Sequence, residues 1–202
     1  MMKKIVYLLS AICLATFPMV SKADTLTLVS SPGGGTIGPY NLTLTAGSTQ
    51  TSIEAFCLNN NLEVSDGETW GVSVVNGSNL GSFFSGATLV SYKEDAYIYN
   101  NEHGYTDTEI QDALWDILNP HSETLDGPAT TLYNDALADY GSTNLAATTF
   151  YIYDAADGAV PQGDTAPQAF VGASAPEPSS LLLLGTGLIG IAGIARRKLG
   201  RG

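Results

Sequence analysis

Between Asp24 and Ala175 the chain has one cysteine, Cys57, and one basic residue, Lys93. A lone cysteine excludes a disulfide framework within that span. One lysine against 19 carboxylates gives a formal charge of −18 there. Such a surface repels DNA and RNA, so nucleic acid is not expected as a partner. The carboxylates show neither EF-hand spacing nor a His/Cys cluster beside them, and read as solvated surface with no metal site. No cofactor pattern stands either. Gly33-Gly34-Gly35 is a turn, with no P-loop lysine behind it. Gly185-x-Gly187-x-x-Gly190 spells a dinucleotide fingerprint but lacks a βαβ unit around it.

The two ends differ from the middle. Residues 1–23 carry Lys3 and Lys4, the apolar run Ile5 to Leu14, and Ser21-Lys22-Ala23. That order is a secretory signal peptide, with an apolar run too short to span a bilayer. Bulky Ile12 before Cys13 argues against a lipoprotein signal. The remaining domain, 24–172, holds about 150 residues, enough for one hydrophobic core.

From Ala175 the text changes to Pro176-Glu177-Pro178, an apolar stretch over 179–195, and Arg196-Arg197-Lys198. The stretch is about 17 residues, at the short end of a membrane span, and its basic end is expected on the cytoplasmic side. Residues 173–202 closely resemble the PEP-CTERM sorting tail of Gram-negative bacteria. The resemblance implies transient anchoring in the inner membrane by the C-terminal helix. It further implies processing by an exosortase, after signal peptidase has acted at the other end. The destination it implies is the cell surface or its polysaccharide matrix.

Alternating Leu and Thr predict strands over Thr25–Ser30 and Tyr40–Thr45. Further strands are expected at Ser52–Leu58, Thr69–Val75, Ala87–Tyr92, Ala147–Tyr153 and Gln168–Val171, with Gly77–Phe84 a loop. Ala96–Tyr99 reads equally as strand or as the first turn of a helix. Thr106–Asn119 is the strongest helix: Ile110, Ala113, Leu114, Ile117 and Leu118 form one apolar stripe, and Thr106 with Glu109, or Thr108 with Gln111, can form a capping box. Pro120 ends it. Thr130–Tyr140 is a second amphipathic helix, with Gly141 as its cap. The expected class is α+β: a mainly antiparallel β-sandwich or barrel with a small helical insertion, plus the C-terminal transmembrane sorting helix.

Cys57 ends a strand whose inward face is Ile53, Ala55 and Cys57, and Gln111 lies at the edge of the helical stripe, 54 positions later. The motifs Phe56-Cys57-Leu58 and Ile110-Gln111-Asp112-Ala113-Leu114-Trp115 together resemble the thioester domains of bacterial surface adhesins. There the cysteine sulfur is joined to the glutamine side-chain carbonyl. The resemblance implies a β-sandwich or barrel with a helical subdomain, bridged by a Cys57–Gln111 thioester. Phe56, Leu58, Leu114 and Trp115 are then candidates for shielding it from water. It implies a covalent adhesin whose target offers an amine or hydroxyl, binding once without turnover rather than acting as an enzyme. Scarcity of lysine, the nucleophile most able to attack a thioester, suits such an electrophile.

Three other readings use the same residues. The first is a non-reactive structural protein of the surface or exopolysaccharide matrix. The second, a cysteine hydrolase with His103 or His121 as base, has no local signature here. The third, a carboxylate metal-binding domain, lacks ligand spacing. The two histidines flank the Gln111 helix, where either is a solvated loop residue or a group that assists thioester formation or activates an acceptor.

Overall fold

The computed structural model describes residues 24–32, 37–62, 64–154 and 168–173. Six antiparallel strands close into a barrel: β1 (Thr25–Ser30), β2 (Tyr40–Ala46), β3 (Thr49–Cys57), β4 (Thr69–Asn76), β5 (Thr148–Tyr153) and β6 (Phe170–Ala173). Around the barrel the order is β1-β2-β3-β6-β5-β4, with β4 returning to β1. Closure leaves no unpaired sheet edge to template aggregation. Strand alternation fills the interior: Leu26 and Leu28 lie opposite Leu44 and Leu42, and Trp70, Tyr151 and Phe170 complete the packing around them.

The outward residues of the same strands face a second layer. Phe56, Val75, Phe150 and Val171 pack against helices inserted between β4 and β5. These are α1 (Leu80–Phe83), α2 (Gly86–Asn100), α3 (Asp107–Leu118) and α4 (Gly127–Asp139), with short 3-10 turns at Gly77–Asn79, Tyr140–Ser142 and Leu145–Ala147. The chain is therefore α+β with a barrel. Each of the main helices buries a stripe, such as Ile110, Ala113, Leu114 and Ile117 on α3.

Two local expectations fail, and a third segment, open between strand and helix, is helical. Ala87–Tyr92 is not a strand but the first half of α2, and Ala96–Tyr99 belongs to the end of the same helix. The alternating, β-branched text of the segment favours strand, while packing against the barrel favours helix. The buried face of α2 also includes Glu94 and Asp95, which breaks the apolar periodicity that announces α3. Gly77–Phe84 is not loop but a 3-10 turn followed by α1. The insertion, residues 77–147, is accordingly larger than the two helices expected. The expected signal peptide (1–23), the sorting residues and the expected membrane helix at 179–195 lie outside the described residues. Among the described residues no helix is long and apolar enough to cross a membrane.

Asp95 is the outlier of the helical layer. It is fully buried, and neither carboxylate oxygen has a hydrogen-bond partner among the described residues. Burial, and secondarily the adjacent Glu94, hold its pKa well above the usual carboxylate value. A group whose folded-state pKa is raised contributes stability that is complete below its unfolded pKa and is lost as pH rises toward the folded value. Asp95→Asn should thus leave stability near pH 4 almost unchanged and raise it at pH 8 by on the order of 1 kcal/mol. Urea titrations at the two pH values measure the difference, and equal effects at both would contradict this account of Asp95.

Candidate functional site

The last pair of the β2–β3 ladder is Tyr40 with Ala55. Beyond it β2 has ended, and the chain arrives at Tyr40 from Gly38 and Pro39. Leu58 N–H donates to Ala169 O on the β6 side, which turns the Cys57 N–H and C=O toward the space β2 has vacated. Those two groups need partners in a buried setting.

Gln111 supplies both. Its Oε1 accepts from Cys57 N–H at 3.3 Å and its Nε2 donates to Cys57 O at 2.5 Å. The same Oε1 also accepts from Gly38 N–H at 3.2 Å. A side-chain amide thus stands in for the missing ladder residue, and Cys57 and Gln111 are both 0% exposed. The amide carbonyl is held by two backbone N–H donors.

Gly38 was not singled out by sequence. A Cβ there would lie 2.7 Å from Phe56 Cδ1 and 3.0 Å from Gln111 Oε1, so only glycine lets the backbone approach this closely. The contact joins residues 73 positions apart. No local pattern could announce it.

Local signals explain the position of Gln111. Thr106 caps α3, accepting from Glu109 N–H at 3.3 Å, while Glu109 Oε2 takes the Thr106 N–H at 2.6 Å, the capping box that the spacing predicts. Asp107 and Glu109 favour the positive end of that helix. At its other end, Asn119 donates to Asn60 Oδ1 at 3.4 Å, and Asn60 donates to Glu123 Oε1 at 2.9 Å. The segment just after Cys57 is in this way tied to the helix that carries Gln111.

The sulfur faces the barrel interior, in the same cluster as Ala55, Trp70 and Phe170. Asn59 brackets it: Asn59 N–H donates to Sγ and Sγ–H donates to Asn59 O, both at 3.3 Å. Burial pushes the thiol pKa up to about 11; the Trp115 indole and the Asn59 N–H each pull it down by less. The Trp115 N–H lies near enough to act on the sulfur without meeting hydrogen-bond geometry, and it has no other partner among the described residues. Of the expected shields, Phe56, Leu58 and Leu114 are buried in the helical cluster, and Trp115 packs partly buried against the barrel cluster around the sulfur.

A cavity of about 280 Å³ opens beside the pair, lined by Pro39, Glu54, Phe56, Tyr99, Glu102, His103, Gly104, Tyr105, Asp107 and Ile110. Pro39, Phe56 and Ile110 are the chain neighbours of Gly38, Cys57 and Gln111. His103 is an exposed residue on its rim, whereas His121, also exposed, follows α3 at its far end and is not part of it. Burial raises the Glu102 pKa, with His103 opposing and Asp107 adding to the rise. No cluster of three or more metal-ligating side chains occurs among the described residues.

The model of the PEP-CTERM protein-sorting motif family matches residues 174–198. That motif marks an exported protein that is directed to the cell surface and processed by an exosortase. No curated protein and no solved structure matches the chain.

Two substitutions probe the clamp. In a Cys57→Ala background, which removes sulfur chemistry, Gln111→Ala strands the Cys57 backbone groups and the Gly38 N–H and should cost on the order of 3 kcal/mol. Gly38→Ala in the same background must displace Phe56 or Gln111, at about 1–3 kcal/mol. Equilibrium unfolding in urea reads both, and losses below about 0.5 kcal/mol, as at ordinary surface sites, would contradict the clamp.

Proposed function

We propose that this exported surface protein is a covalent adhesin, in which Cys57 and Gln111 form an internal thioester that acylates an amine or hydroxyl on its target. The observation that carries the reading is the environment of the Gln111 amide. Its carbonyl oxygen receives two backbone N–H donors, from Cys57 and Gly38, inside a water-excluding core. Donors so fixed stabilise the oxyanion that develops when a nucleophile adds to the carbonyl carbon. The cysteine whose backbone grips the amide also carries the thiol that would act as the nucleophile.

In the forming step the Cys57 sulfur adds to the Gln111 side-chain carbon, the C–N bond breaks, and ammonia leaves with the thiol proton. Burial raises the thiol pKa to about 11, which lowers the thiolate fraction available for this step. It needs to occur only once per molecule. In the second step the target's amine or hydroxyl adds to the same carbon, the C–S bond breaks, and Cys57 returns to a thiol. No turnover follows.

The sorting tail sends the product outward. The surface or polysaccharide matrix of a Gram-negative cell is the setting in which fixation of this kind would act. A non-reactive structural protein of that matrix is the second reading. One observation favours it: Gln111 already satisfies the groups that the β2 strand leaves open, a sufficient structural role. Methylamine separates the two. A thioester takes up one methylamine at Gln111, seen by peptide mapping, and only then can Cys57 be alkylated by iodoacetamide under denaturing conditions. Variants Cys57→Ala and Gln111→Ala should take up none. Unmodified Gln111 beside a Cys57 that alkylates freely without methylamine would overturn the adhesin and leave the structural reading.

A further inference from the structure

The Gln111 carbonyl is sealed, so an acceptor needs a path to it, and the fold offers one at the cavity over Phe56. The point above Gly38 lies 2.7 Å from Phe56 Cδ1 and 3.0 Å from Gln111 Oε1, so the same ring that walls the cavity also borders the amide oxygen. Phe56 is held there by an edge-to-face contact with Tyr99, ring centroids 6.4 Å apart. His103 stands on the cavity's rim with Glu102 beside it.

We propose that this cavity is the acceptor's route to Gln111, with Phe56 as its gate and His103 as the base that takes the acceptor's proton. The inference rests on the acyl-thiol reading above. The acceptor X–H adds to the Gln111 side-chain carbon while its proton passes to the His103 imidazole. The oxyanion sits between the Gly38 and Cys57 N–H groups. The C–S bond then breaks, the electron pair leaves with sulfur, and the Trp115 and Asn59 N–H groups receive the thiolate. Imidazolium returns its proton to solvent and sulfur takes one up, so the net change is C–S and X–H exchanged for C–X and S–H.

A base is needed on this path for a physical reason. A thiol whose pKa burial lifts to about 11 makes a poorer leaving group than an exposed one. The addition intermediate therefore partitions back to reactants unless the acceptor has lost its proton. The other titratable groups that line the cavity with His103 are acidic or phenolic: Glu102, Asp107 and Glu54, with Tyr99 and Tyr105. Of all the residues lining the cavity, His103 is the one nitrogen base.

The test is the rate at which methylamine opens the bond in the intact exported protein, followed by mass across pH 5–9. With rates referred to free methylamine, since its own deprotonation gives every variant a rising profile, His103→Gln should open about 100-fold more slowly than wild type. Added imidazole should restore part of the rate, and His121→Asn should behave as wild type. Phe56→Ala should open faster and also hydrolyse faster in buffer alone. Wild-type rates and pH profile in His103→Gln, with the acylated form present, would overturn this inference and leave the thioester standing. Absence of any acylated form in the wild type would overturn both.

Discussion

The side-chain amide of Gln111 completes a β-ladder that a strand has left unfinished, and much of the domain is arranged to hold it there. The Cys57 N–H and C=O face the gap beyond Tyr40, and a buried gap of that kind cannot be left open. Helix α3 fills it from the outer layer, and Gly38 narrows the approach until the oxygen serves two donors at once. The result joins barrel and helices at one amide. It also surrounds a carbonyl with the donors that acyl chemistry requires.

The two packed layers have distinct tasks. The closed barrel gives β3 a fixed register, with Cys57 turned inward and Phe56 outward. The insertion between β4 and β5 supplies α3, which brings Gln111, and α2, which brings Tyr99 against Phe56. Burial then acts in two directions. In the proposed thioester it would shield the acyl bond from water, and in the free cysteine it raises the thiol pKa. Lys93, the one lysine of this span, is not among the residues lining that cavity.

What the sequence makes legible follows the range of the interactions. Helix α3 is announced by local signals: the Thr106–Glu109 capping box, the apolar stripe and Pro120. The strands β1 and β2 show their alternation, β5 is a run of β-branched and aromatic residues, and the sorting tail is written as a contiguous motif. Helix α2 is hidden because Glu94 and Asp95 lie on its buried face, a placement that tertiary packing tolerates and periodicity does not reveal. The strand order is also invisible, since β6 lies between β3 and β5 through contacts made across the whole chain. At the site, Cys57 and Gln111 stand out by their motifs. Gly38 does not, because its role exists only where residues 73 positions apart meet. Glu54, Tyr99 and Tyr105 are missed for the same reason: they become neighbours only when the layers pack.

The central claim is that the Gln111 amide is spent in joining to Cys57 before any acceptor arrives. The intact mass of the exported protein, beside Cys57→Ala and Gln111→Ala with the same termini, tests this without any added reagent. The account predicts that wild type alone falls short of its sequence mass by one ammonia, about 17 Da. A wild-type protein at its full sequence mass would contradict it, and the amide between Cys57 and Gly38 would then be a structural clamp and nothing more.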